Sequence, residues 1–241
     1  MGTGYEGLPG GVGVSLLRVY DWPAADGLRG GTPHLHLTCS EGYLVTGGRG
    51  SVQTLTASGF RQTPLAEGTL VWFTPGTVHR LVNDGGLTIV VLMQNRGLPE
   101  AGDAVLTLPP RLLADPAAYR AAATLPPEGT EEELSRAARV RRDLAVEGFA
   151  ALREAAGADD PGPLAAFHRA AAALVGPLSG DWRERWRNGA AAAADATGAQ
   201  LGRLEDGDCG YLAQAVVRSE GPAVRGRFGM CGRLDVYRAD G

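Results

Sequence analysis

The sequence predicts an α+β protein, a mainly β barrel or sandwich that carries an added α-helical segment. Three observations predict it. Residues 12 to 95 hold short runs rich in β-branched and aromatic residues, separated by glycine, proline and aspartate clusters, the pattern of a sandwich or barrel with strands about ten residues apart. After GLPEAGD (97–103) alanine, leucine, arginine and glutamate at helical spacing take over. Near residue 200 strand character returns. The organisation that follows is a β unit over 1–109, a helical extension over 110–200, and C-terminal strands over 201–241 that could complete the first sheet.

Taken in order, the strand candidates of the first stretch are VGVSLLRVY (12–20), YLVTG (43–47), SVQTLT (51–56), TLVWFT (69–74) and LTIVVLM (87–93). Pro75-Gly76 lies before VHRLVN; proline presets φ and glycine accepts positive φ, so the chain can reverse there. Thr130 and Glu133 form a capping-box pattern at a helix start. Leu134, Ala137, Ala138, Arg141, Leu144, Ala145 and Phe149 follow at three- and four-residue intervals and give that helix a mostly apolar face. Residues 161–178 and 181–196 predict two further helices, the second packing Trp182 and Trp186 four positions apart. YLAQAVV (211–217), PAVRGRF (222–228) and RLDVYR (233–238) predict the closing strands.

The chain has 241 residues, 44% of them hydrophobic and 21% charged, with a net charge of -4. That describes an ordinary globular composition, and an acidic balance does not point to nucleic acid. All 23 basic residues are arginine. Schiff-base catalysis and lysine-dependent phosphate loops are therefore excluded. Cys39, Cys209 and Cys231 are odd in number and widely spaced, which fits small core hydrophobes in a reducing cytoplasm better than a disulfide framework. The first residues do not read as a signal peptide, and no apolar run reaches the roughly 18 residues of a membrane span. A cytoplasmic protein with a small-molecule partner is expected.

The candidate chemistry lies in GGTPHLHLTCSE (30–41). In a strand, residues two apart point to one face, so His34 and His36 project together. Strict alternation would not leave Glu41 on that face, so a turn at TCSEG is expected to bring it back on the next strand. A third imidazole, His79, follows the Pro75-Gly76 turn. His168, in AAFHRAAAAL, reads as a hydrogen-bonded core residue.

Residues 31 to 95 resemble the cupin superfamily of small β-barrels. The resemblance rests on two motifs in order, His34-x-His36-x4-Glu41-x6-Gly48 and Gly68-x6-Pro75-Gly76-x2-His79-x3-Asn83. It departs from the family pattern at Leu28, where a glycine is usual, and at the adjacent Pro75-Gly76, where many members have one residue between. The resemblance implies a jelly-roll-like double-stranded β-helix in which His34, His36, Glu41 and His79 bind one divalent metal. It also implies a homodimer.

Three imidazoles and one carboxylate suit iron(II), manganese, zinc, nickel or cobalt. Four protein ligands leave open positions on a six-coordinate ion, so the expected function is metal-dependent chemistry on a small polar organic molecule. Resemblance of PGTVHRLVN to cupins related to phosphomannose isomerases puts sugar or sugar-phosphate isomerisation or epimerisation first and iron(II) dioxygenation beside it. The alternative is a non-catalytic ligand-binding or regulatory module. Tyr43, Trp72, Phe73, Arg80 and Gln94 are the candidates for the pocket, and Cys39 lies close enough in sequence to Glu41 to approach the metal.

Overall fold

Two long strands, β3 (Glu41–Thr56) and β6 (Val78–Met93), carry the architecture, each 16 residues long and paired antiparallel from Glu41↔Met93 to Leu55↔Val78. The computed structural model describes residue 5 and residues 7–237, so residues 1–4 and 6 of the N-terminal stretch read for a signal peptide, and Arg238 of RLDVYR, lie outside the described residues. YLVTG and SVQTLT are one strand, and VHRLVN continues into LTIVVLM. The intervening glycines do not turn the chain. They make bulges instead, with register shifts between Val45 and Gly50. Gly48 has φ 72°, and a Cβ there would lie 2.3 Å from the Gly86 carbonyl, so only glycine lets the two backbones touch at this bend.

The bend folds the ribbon over itself. His79 pairs with Thr54, yet its Nε2 lies 3.0 Å from Oε2 of Glu41, thirteen residues earlier on β3. A straight strand would separate those positions by roughly 40 Å. The two ends of one ribbon are therefore stacked face to face, with Leu17, Tyr43, Val45, Val52, Leu81 and Ile89 buried among the side chains of this layer.

The remaining strands extend this ribbon. β1 (Gly13–Val19) pairs with the second half of β6. β2 (His34–His36) pairs with β6 at His34↔His79 and with β7 (Ala104–Leu106). β4 (Gly59–Ala66) and β5 (Leu70–Phe73) lie along β3. β9 (Gly232–Val236) pairs with β1, and β8 (Val224–Phe228) pairs with β9. The main path of the nine-stranded sheet runs β4-β3-β6-β1-β9-β8. Among the described residues no ladder joins β4 to β8, so the expected α+β fold, mainly β with an added helical segment, takes the form of an open sheet rolled over itself.

Six helices follow: α1 (Pro110–Leu113), α2 (Pro116–Ala123), α3 (Glu131–Gly157), α4 (Gly162–Val175), α5 (Ser179–Trp186) and α6 (Ala192–Glu205). Thr130 and Glu133 close the capping box at α3. The helices share a core with the sheet, where Phe149, Phe167 and Trp182 meet Leu35, Leu55 and Val105. A π-helical turn over Arg187–Ala191 carries α5 into α6, so helix continues past the expected end near residue 196. Trp182 is buried and donates Nε1 to Ala101 O at 3.1 Å, whereas Trp186 is largely exposed; the expected packed pair is not formed. YLAQAVV is not a strand: a 3-10 turn covers Gly210–Gln214, and Val217 is 99% exposed and pairs with no strand among the described residues. Among the described residues no helix is long and apolar enough to cross a membrane.

Candidate metal centre

On β2 the alternation of the sequence is preserved: His34 and His36 turn to the interior of the rolled sheet, and Leu35 between them packs into the helix-side core. Residues 37–40 turn the chain, and β3 begins with Glu41 itself. The Pro75-Gly76 turn delivers the third imidazole. Gly76, at φ 86°, donates its N–H to His36 O at 2.9 Å, and Thr77 N–H donates to Thr74 O at 3.2 Å, so His79 enters β6 opposite His34.

His34, His36, Glu41 and His79 are all buried, and one ligand atom from each lies within 4.8 Å of the others. Nε2 of His79 stands 3.1 Å from Nε2 of His34 and 3.0 Å from Oε2 of Glu41; Nε2 of His36 stands 3.4 Å from that oxygen. What surrounds this group fixes its protons. Nδ1 of His34 donates to Thr32 O at 2.8 Å, Nδ1 of His79 to Thr77 O at 3.1 Å, and Nδ1 of His36 to Oδ2 of Asp103 at 3.0 Å. Carbonyls and carboxylates only accept, so each neutral ring carries its proton on Nδ1 and turns a lone pair inward at Nε2.

With all three rings neutral, four acceptors therefore converge, and the buried Oε2 of Glu41 faces only the imidazole nitrogens of His36 and His79. Such a cluster calls for positive charge at its centre. The donor set and its outer hydrogen bonds fit a divalent transition metal, because outer acceptors orient ligating imidazoles in this way.

The protonation of the groups follows from the same contacts. Burial, with the neighbouring His79 and His36 rings, holds His34 well below the ordinary histidine value. Burial opposes the charge on His36 too, but hydrogen bonds to Asp103 and Glu41 outweigh it and push the pKa up to about 9. For Glu41, burial is overcome by the adjacent imidazoles, which hold the carboxyl well below its usual range. Burial and the nearby Glu41 carboxylate raise Tyr43 well above an ordinary phenol.

Asp103 is the residue of the candidate site that sequence reasoning missed. It is fully buried; besides His36, it accepts from Thr38 N at 2.7 Å and Thr38 Oγ1 at 2.6 Å through Oδ1. It lies 67 positions from His36 in the chain, and only the β2–β7 pairing, with His36 opposite Ala104, brings it there. No motif marks it.

Of the pocket candidates, Tyr43 and Phe73 stand beside the cluster. The Phe73 ring lies 4.2 Å from that of His79, and Tyr43 packs against Phe73 at 5.3 Å. The other three lie elsewhere. Trp72 alternates away from Phe73 and is 71% exposed. Arg80 alternates away from His79 and forms a two-pronged ion pair with Asp26 at 2.5 and 3.1 Å. Gln94 accepts from Ser40 N at 3.1 Å. Cys39 is buried in the helix-side core and Cys231 beside Thr32, but Cys209 is exposed, against the expectation that all three are core residues. His168 donates to Gly76 O at 3.0 Å and so braces the turn that presents His79.

A doubled antiparallel ribbon that lays Glu41 at one end against His79 at the other, with His34 and His36 on the short strand paired to His79 and all four side chains inside, decides the architecture. The fold is cupin-like. No protein-family description matches the chain by sequence, and no curated protein does. Among solved structures, it is similar to a conserved Klebsiella pneumoniae protein with a double-stranded β-helix domain (18% identity, TM-score 0.29, 34% of this chain and 66% of the other). It is also similar to two Campylobacter jejuni enzymes. One is a TDP-fucose-3,4-ketoisomerase (13% identity, TM-score 0.30, 37% of this chain and 64% of the other). The second is a TDP-quinovose 3,4-ketoisomerase (11% identity, TM-score 0.28, 33% and 60%). The chain thus spans less than two thirds of the length of each.

Proposed function

We propose that His34, His36, Glu41 and His79 hold one divalent transition metal, iron, manganese, zinc, nickel or cobalt, and that the centre acts on a small oxygen-bearing organic molecule. Sugar or sugar-phosphate isomerisation or epimerisation is the first reaction to test, and iron(II)-dependent dioxygenation the second. The observation that carries the reading is the inward convergence of three Nε2 atoms and one buried carboxylate oxygen, with every Nδ1 already committed to an outer acceptor. When bound, such an ion supplies a Lewis acid that polarises a substrate oxygen.

The chain's own residues define the surroundings. Tyr43, held in its phenol form by burial beside Glu41, keeps a proton at Oη next to the cluster. Phe73 covers His79 and excludes water from that side. Asp103 and the carbonyls of Thr32 and Thr77 hold the imidazole planes.

Elemental analysis of purified and metal-reconstituted protein is the deciding experiment: about one ion per chain is expected, and none after reconstitution removes the centre. His79→Ala should lower occupancy while leaving the circular dichroism of the sheet unchanged. Turnover of a sugar-phosphate panel with manganese or zinc separates isomerase from dioxygenase, which would instead consume oxygen after anaerobic iron loading. Full occupancy with neither activity assigns the chain to the non-catalytic ligand-binding or regulatory alternative.

A further inference from the structure

Two adjoining cavities, of about 270 and 750 Å³, lie between the β8–β9 hairpin, residues 99–104 and helix α3. They share a wall made by Pro99, Glu100, Arg141, Arg227, Phe228 and Met230. Arg141, from the middle of α3, is only 8% exposed. Its Nη2 donates to Gly229 O at 2.6 Å and Nη1 to Ala123 O at 3.4 Å, while Nε is buried and finds no acceptor among the described residues.

The other buried arginines are treated differently. Arg80 is paired with Asp26, and Arg142 with Asp143 while also donating to the carbonyls of Trp22 and Pro23. Among the described residues no carboxylate pairs with Arg141. Glu100, in the same wall, accepts from Gly97 N. A guanidinium stays charged in proteins, and a buried charge without a counter-ion is costly. An anion seated in the cavity would supply that counter-charge.

The rest of the lining says what the anion is attached to. Val14, Met93, Leu234 and Val236 wall the smaller cavity, and Leu134 and Tyr119 the larger, so apolar surface flanks the arginine on both sides. Met93 is also paired directly with Glu41, and paired residues point to one face of a sheet. The smaller cavity therefore opens on the interior face that carries the ligand cluster.

We infer that these cavities bind a small organic carboxylate with an apolar body, its anionic head at Arg141 and its body between Met93, Leu234 and Phe228. Binding there requires no metal, so the site stands or falls apart from the metal centre.

The test is calorimetric titration of the full chain with 3-phenylpropionate, its neutral amide 3-phenylpropionamide, and inorganic phosphate. The carboxylate should bind once per chain, with the amide and phosphate weaker by about tenfold or more. Arg141→Met should abolish the difference between carboxylate and amide, and Arg141→Lys should keep part of it. Equal binding of acid and amide by the native chain, tighter binding of phosphate, or no binding of the carboxylate overturns the site. These comparisons use the native chain, so they decide the matter even if Arg141→Met does not fold; a folded Arg141→Met chain that still prefers the carboxylate overturns it too.

Discussion

His36 has two carboxylates on one ring, Asp103 at Nδ1 and Glu41 at Nε2. In the metal-free chain this raises its pKa to about 9, from an ordinary 6.5. The imidazolium then contributes stability that is fully present below pH 6.5 and is lost as pH rises through about 9. A metal needs the Nε2 lone pair and displaces that proton. Metal binding at pH 7 should therefore release about one proton from His36, a release that vanishes above about pH 9. Calorimetry in buffers of different ionisation enthalpy measures it; no buffer dependence at pH 7 would contradict the Asp103–His36–Glu41 arrangement. Asp103→Asn keeps an acceptor for Thr38 but removes the charge behind His36. It should weaken metal affinity by about 10- to 100-fold and lower the melting temperature of the metal-free chain at pH 7, and occupancy measured against a competing chelator reads the effect on the metal.

Among the elements, α3 is held against the sheet at one residue. A Cβ on Gly148 would lie 2.0 Å from Thr107 O, just after β7, and Thr107 Oγ1 reaches back to Ala145 O at 2.8 Å. Gly148→Ala should therefore destabilise the chain by about 1–3 kcal/mol through overpacking, although alanine is the better helix former by about 1 kcal/mol. Denaturant unfolding checks the sign. The close approach could not be foreseen, because a glycine inside a helical pattern looks the same whether its neighbour is solvent or a strand. Local patterns were legible wherever a short-range rule sufficed: the two-residue alternation of His34 and His36, the Pro75-Gly76 turn, the Thr130–Glu133 cap. Gly47 and Gly48 misled, since glycine marks both turns and bulges, and only the partner strand decides between them. Asp103 and the attachment of β9 to β1 depend on contacts between distant segments, and no local pattern encodes those.

At the scale of the whole molecule, the helices are part of what holds the four candidate ligands in place. Leu35, between the two histidines, is buried in the same cluster as Phe149, Phe167 and Trp182, and His168 of α4 holds the turn before His79. A sheet stripped of these helices would expose that apolar face to water. Sheet and helices should therefore unfold in one transition rather than two. Phe167→Ala, which removes a ring 4% exposed in the shared core, should cost about 3–5 kcal/mol and lower the midpoint by about 2–4 °C for each kcal/mol. Helical circular dichroism and metal release into a colorimetric chelator, followed on heating, should move down together. If the helical signal melts earlier in the variant while the ion stays bound at the native temperature, the helices are an independent unit, and the bracing of Leu35 and Gly76 contributes nothing to the centre.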